Sequence, residues 1–228
     1  MTGSPAHRDG MTERQLPEPL ALFDRAATVA EGVLAAIDPA DLGLPTPCDE
    51  YDVRTLAGHL IGVAHRVAAV GRGGTIFDAP QVEEGLDPAD YVPTWRSIVA
   101  DAIEAWPVER LAAIIELPWA TVPGAATVAM WTSELTVHAW DLAVATGQHP
   151  VWDDHVVAAS IATMQMALPR EGRAEEHEAV AEAHPDGPPE MMTVPFAEVV
   201  DTPADAAPID RLVAWTGRSP AWRPPVGS

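Results

Sequence analysis

Three side chains able to do metal or acid–base chemistry fall within one stretch, MWTSELTVHAWDLAVATG, residues 130–147: Glu134, His138 and Asp141. Spacings of four and three stack residues on one side of a helix. The alanine, valine, leucine and tryptophan around them are the composition of a helix packed against others, so these polar groups would face into the protein. A buried carboxylate left alone is costly, and charge pairing or metal coordination offsets that cost.

A second stretch, VRTLAGHLIGVAHRVAAV, carries an apolar stripe of Leu56, Leu60, Val63, Val67 and Val70 with His59 beside it. His65, six positions on, is turned well away from His59. Gly58 and Gly62 flank His59, and residues without a side chain let another backbone or a ligand come close. His59, Glu134 and His138 together form a donor set that zinc accepts, with a fourth position open to water or substrate, as in catalytic sites. Glu134 and His138, four apart, can reach one ion from a single helix. The same spacing fits a hydrogen-bonded Glu134–His138 pair with His59 as a satisfied core histidine, and spacing does not choose between them.

The elements that would position these residues are mainly helical. Leu22, Ala26, Val29, Val33 and Ile37 recur at threes and fours in Pro19 to Asp38. A turn-rich link leads to a second helix over about Val53 to Val70, closed by GRGG. DPADYVPTWRSIVADAIEAW suggests a third helix, starting near Asp90 or after Pro93 and ending at Pro107. LAAIIELPWATVPG reads as one or two short strands or an extended segment. A long helix follows over about Ala125 to Thr146 with Gly147 at its end, then another beginning near Asp153 or Asp154. Residues 170–189 are charged and proline-marked and read as a mobile loop, and APIDRLVAWTGR as a short terminal helix. The expected architecture is an antiparallel four-helix bundle with an extra short helix and a small strand segment. The expected division is a disordered tail at 1–16, the metal-binding bundle at 17–170, and a charged loop with a short helix packing on it at 171–228. Met11 is an alternative start of the chain.

Composition narrows the function classes. With 34 acidic and 13 basic residues, the formal charge of −21 argues against nucleic-acid binding. Cys48 is the only cysteine, which excludes an intramolecular disulfide and a cysteine-based zinc cluster. It reads as a buried structural residue, although its place before the second helix could lower a thiol pKa, and a fourth metal ligand is the remote alternative. With no apolar leader at the N-terminus and no apolar run long enough to span a bilayer, the protein is expected in the cytoplasm, as a monomer or homodimer.

Three stretches are similar to one family. LPTPCDEYDVRTLAGHLIGV, SELTVHAWDLAVATGQ and PIDRLVAWTGRSPAW resemble, in the right order, signatures of the mycothiol-dependent maleylpyruvate isomerase-like proteins, a branch of the DinB-like metal-binding bundles. The resemblance runs from about Leu20 to Trp222. It implies a four-helix bundle holding a divalent metal, usually zinc, on His59, Glu134 and His138, with the low-molecular-weight thiol mycothiol as co-substrate. An open zinc site deprotonates a coordinating thiol, which can then attack a small electrophile.

Two outcomes share that first step: the thiol stays on the product, or it leaves after the double bond has rotated. The isomerase is understood to carry a substantial C-terminal domain, whereas only about 60 residues follow the last long helix here. Thiol S-transfer is therefore the leading expectation and cis–trans isomerisation the second. A non-catalytic metal- or ligand-binding bundle and a metal-dependent hydrolase are the others, the last needing Asp141 as general base. Asp141 could instead orient a metal ligand, or pair with Arg54 or Arg66 between helices. Arg54 and Trp140 are the candidate contacts to the bound thiol, Trp140 as core or pocket wall. Arg218 could bind a substrate carboxylate but reads first as one half of a surface ion pair, and His155, His177 and His184 read as solvated.

Overall fold

Helix boundaries follow the local chemistry of the chain. In the computed structural model, which describes residues 16–183 and 196–225, the first long helix, α1, is Glu18–Ala35. The second, α2, is Val53–Gly71, and it begins where the Asp52 carboxylate accepts the Thr55 N–H at 2.8 Å. Tyr91–Glu104 is α3; Pro93 sits in its first turn, where a missing N–H breaks no helical bond. A single helical turn, α4 at Val108–Ala112, precedes a two-stranded hairpin of β1 (Ile114–Leu117) and β2 (Ala120–Pro123), paired antiparallel with Leu117 opposite Ala120. The hairpin accounts for the strands expected there; the turn of helix was not foreseen.

The longest helix, α5, is Gly124–Ala145 and ends ahead of Gly147, whose φ of 68° lies in the left-handed region that favours glycine. Asp153 caps α6 (Asp154–Ala167) by accepting the N–H groups of His155 and Val156, both at 3.0 Å. Arg173–Ala183 is α7, and Pro208–Trp215 is α8.

Four helices form the bundle. α5 packs on α1 and α2, and α3 closes the ring against the same two, so α1 and α2 stand diagonally opposite. α6 covers the outer face of α5, and α8 lies on α6. Helix α5 therefore has neighbours on most sides, which is why nearly every residue from Trp131 to Ala145 is buried. Two tryptophans tie the bundle by their indole N–H groups: Trp95 donates to the Ala27 carbonyl at 3.0 Å and Trp106 to the Val67 carbonyl at 2.9 Å. No helix among the described residues is long and apolar enough to cross a membrane.

Residues 173–183 form a helix where composition suggests a mobile loop. The cause is tertiary. The Glu198 carboxylate accepts the N–H groups of Gly172 and Arg173, at 3.1 and 3.0 Å, and so caps the helix from another part of the chain. The buried Arg173 guanidinium donates to the carbonyls of Pro169, Ala197 and Trp215. These bonds fasten residues 196–218 onto the bundle. The rest of that charged segment, with His184, and the tail at 1–15 with Met11, lie outside the described residues.

Replacing Arg173 with Met leaves three carbonyls short of a charged donor. Urea unfolding is expected to show a loss of about 3 kcal/mol, each such bond being worth roughly 1.5–3 kcal/mol before repacking.

Candidate metal centre

Helices α2 and α5 pack against each other, and the apolar stripe of α2, with every stripe residue at or below 1% exposure, turns His59 toward α5. On α5, Glu134 and His138 stand one turn apart on the side that meets it. One ligand atom from each of His59, Glu134 and His138 lies within 4.8 Å of the others. His59 Nε2 is 3.4 Å from Glu134 Oε1, and the two imidazole rings meet edge to face with centroids 4.9 Å apart. Donors held about 2 Å from one tetrahedral zinc are roughly 3.4 Å apart, so the cluster fits an ion after a small contraction.

What the other ring nitrogens do decides whether those atoms are available. His59 Nδ1–H donates to the Gln81 main-chain carbonyl at 3.0 Å. His138 Nδ1–H donates to Asp141 Oδ2, also at 3.0 Å. A protonated Nδ1 leaves the lone pair on Nε2, which is the tautomer a metal needs. Asp141 is fully buried and its Oδ2 also accepts from Arg218 Nη2 at 3.3 Å. The donor set, the fixed tautomers and the spacing all suit a divalent ion.

The charges agree with the geometry. Burial pushes the Glu134 carboxyl up, but the neighbouring His59, His138 and Arg66 side chains outweigh it, so it sits below its ordinary value. Burial pushes the His138 imidazole down against the pull of Asp141, which keeps it neutral and ready to ligate. Burial also raises Asp141, yet Arg218 and His138 beside it hold its carboxyl below the usual range. The Glu134 side chain is 24% exposed while His59 shows 6%, so the centre opens to solvent at the carboxylate.

Other sequence candidates fall elsewhere. Arg54 is exposed in the first turn of α2 and does not pair with Asp141. Trp140 is buried, but two residues past His138 the helix has turned about 200°, away from the centre. Arg218 is buried and paired with Asp141 and is not a surface group, because α8 and the chain after it are drawn onto the bundle. Burial pushes the Cys48 thiol up to about 11, with nearby Arg218 opposing and Asp141 adding, and Cys48 is not among the clustered ligand atoms. His65 Nε2 lies 3.6 Å from Glu83 Oε2, His155 is exposed and His177 is half-buried.

Gln81 and Tyr51 had no signal of their own in the sequence. Arg66 only donates, so it takes Gln81 Oε1, at 3.1 Å, and the amide nitrogen then donates to the Tyr51 hydroxyl at 2.8 Å. Tyr51 lies against the His59 ring, with centroids 5.2 Å apart.

The model of the mycothiol maleylpyruvate isomerase N-terminal domain matches residues 23–143, more than half of the chain, and the chain belongs to that family. The match spans His59, Glu134, His138 and Asp141 and stops short of Arg218. Two uncharacterized proteins of Mycobacterium tuberculosis are each 29% identical over 203 residues, covering 89% of this chain and 98% of theirs. Crystal structures of the mycothiol-dependent maleylpyruvate isomerase and of a mutant of it align with 65% of this chain and 68% of theirs, at 19% identity and a TM-score of 0.49.

Asp141→Ala is expected to weaken zinc binding about 10- to 100-fold in competition with a chromophoric chelator, because the His138 ring loses its fixed acceptor. Acid is expected to destabilise the metal-free protein in two stages. His138 has a folded pKa below its ordinary one, so its contribution is complete above pH ~6.5 and declines as pH falls below that. Asp141, also depressed, contributes fully above pH ~4 and loses its contribution as pH falls further. Melting temperature measured from pH 8 to 3 checks both stages.

Proposed function

We propose that this member of the family is a metal-dependent thiol S-transferase. His59, Glu134 and His138 hold one divalent ion, zinc by the nature of the donors. Mycothiol, the thiol in the family's name, is the co-substrate, and a small electrophile receives it. The observation that carries the reading is the pair of imidazoles whose Nδ1–H groups are committed to Gln81 and Asp141, leaving Nε2 of each for one ion beside Glu134.

When bound, the metal supplies the positive charge that strips the proton from a coordinating thiol. The protein's own groups do the rest. Asp141, clamped by Arg218, keeps His138 in place, and Gln81 does the same for His59. The Tyr51 oxygen accepts from Gln81, so its own hydrogen is left to donate. Burial raises the Tyr51 phenol, which keeps that hydrogen on at neutral pH. As the sulfur bonds to the far carbon of an alkene conjugated with a carbonyl, the alkene π pair shifts to the bond beside the carbonyl and the carbonyl π pair moves onto its oxygen. A hydrogen bond from Tyr51 then stabilises the charge formed there. A proton from solvent, taken up at carbon, completes the thioether; expulsion of the sulfur instead returns the rotated alkene.

The half-exposed Tyr51 and the solvent-facing edge of Glu134 favour protonation, hence transfer. The family's description favours isomerisation as the second reading. A hydrolase is disfavoured, since Asp141, the base that reading needs, is fully buried and bonded to His138 and Arg218. A reaction that consumes a reduced thiol fits the cytoplasm.

The test replaces the metal with cobalt and adds mycothiol. A sulfur-to-cobalt absorption band is expected in the parent and absent in His138→Ala, followed by catalysed addition of the thiol to N-ethylmaleimide. No band in the parent would contradict the reading, as would product formation indifferent to the thiol. Tyr51→Phe is expected to keep the band and lose about 100-fold in the rate of addition, measured by maleimide absorbance.

A further inference from the structure

Gly58 and Gly62 bracket His59 on α2, and the backbone they admit comes from residues 80–83. A Cβ on Gly58 would stand 2.4 Å from the Glu83 carbonyl oxygen, and one on Gly62 would stand 2.4 Å from the Gln81 carbonyl oxygen. Neither distance is tolerable against main-chain atoms, so side chains at these positions would push the segment off the helix. The segment is also bonded to what it crosses. Glu83 N–H donates to the Gly58 carbonyl at 3.0 Å, and the Gln81 side chain bridges Arg66 and Tyr51.

The Gln81 carbonyl that Gly62 allows so close is the one that accepts His59 Nδ1–H. We propose that residues 80–83 are a positioning strap for the metal centre, with Gly62 and Gln81 as its positioning residues. The strap sets the His59 tautomer before any ion arrives. Gly62 lets the Gln81 carbonyl reach the imidazole. The Gln81 amide, held by Arg66 on one side and Tyr51 on the other, stops the carbonyl from drifting. Without it, neutral His59 would be free to put its proton on Nε2, the atom that must be bare to ligate. This inference rests on the metal site and not on the thiol chemistry.

The test compares Gly62→Ala with Gly71→Ala, whose added Cβ would strike Trp106 and Ala105 in the core instead. Two quantities are read: zinc affinity by chelator competition, and the His59 ¹⁵N shifts of the metal-free protein at pH 8, which distinguish Nδ1–H from Nε2–H. Gly62→Ala is expected to lose about 10- to 100-fold in zinc affinity and the dominance of Nδ1–H. Gly71→Ala is expected to lower the melting temperature and change neither quantity. Gln81→Ala, which keeps the carbonyl but cuts both side-chain ties, is expected to show a smaller loss of the same kind. Parental affinity and tautomer in Gly62→Ala would overturn the proposal, as would parental values in Gln81→Ala should Gly62→Ala not fold. A parent that takes up no zinc would defeat the metal reading, while the tautomer in the metal-free protein still decides the strap.

Discussion

An imidazole buried against a carboxylate is tolerable only if its second nitrogen is bonded, and most of this structure follows from meeting that condition twice. For His59 the partner is a main-chain carbonyl brought over α2 by a chain crossing two glycines. For His138 the partner is a carboxylate one turn away, itself buried and in need of a cation. Arg218 supplies that cation from 77 residues further along the chain. Each solution brings in another element: the 80–83 segment in the first case, α8 and the C-terminal chain in the second. A buried charge pair of this kind contributes little to net stability, but removing one partner leaves the other charged in a dry place.

The C-terminal chain is thereby part of the candidate centre. Arg173 bonds the carbonyls of Ala197 and Trp215, and Gly217, with a φ of 85°, packs so tightly on Ala197 that a Cβ would lie 2.8 Å from its carbonyl oxygen. Arg218 follows directly. The anchoring begins in a helix rich in glutamate and alanine and ends at the cation that holds Asp141, which couples the outer layer of the fold to the candidate centre at its core.

Much of this was legible in the sequence, for a physical reason. α2 and α5 are long and periodic, so their buried faces, and the histidines and glutamate on them, can be read from spacing. The order of helices and the hairpin could be read for the same reason. What was hidden depends on contacts distant in sequence. Gln81 acts through its main chain, which carries no residue-specific signal, and across 22 positions. The glycines beside His59 announced a close approach without saying what approached. α7 was missed because its helix start is capped by Glu198 and not by a neighbour. Arg218 reads as a surface group because a lone arginine in a turn gives no hint of a buried aspartate on another helix.

Zinc K-edge X-ray absorption on the metal-loaded protein, with and without mycothiol, tests whether this cluster is an open metal site that accepts a thiol. The expected result is two imidazoles and only light oxygen donors around zinc in the free protein, with one sulfur at about 2.3 Å appearing when the thiol is added. A sulfur ligand already present without thiol would point to Cys48, and a shell unchanged by the thiol to a closed site; either would contradict the account.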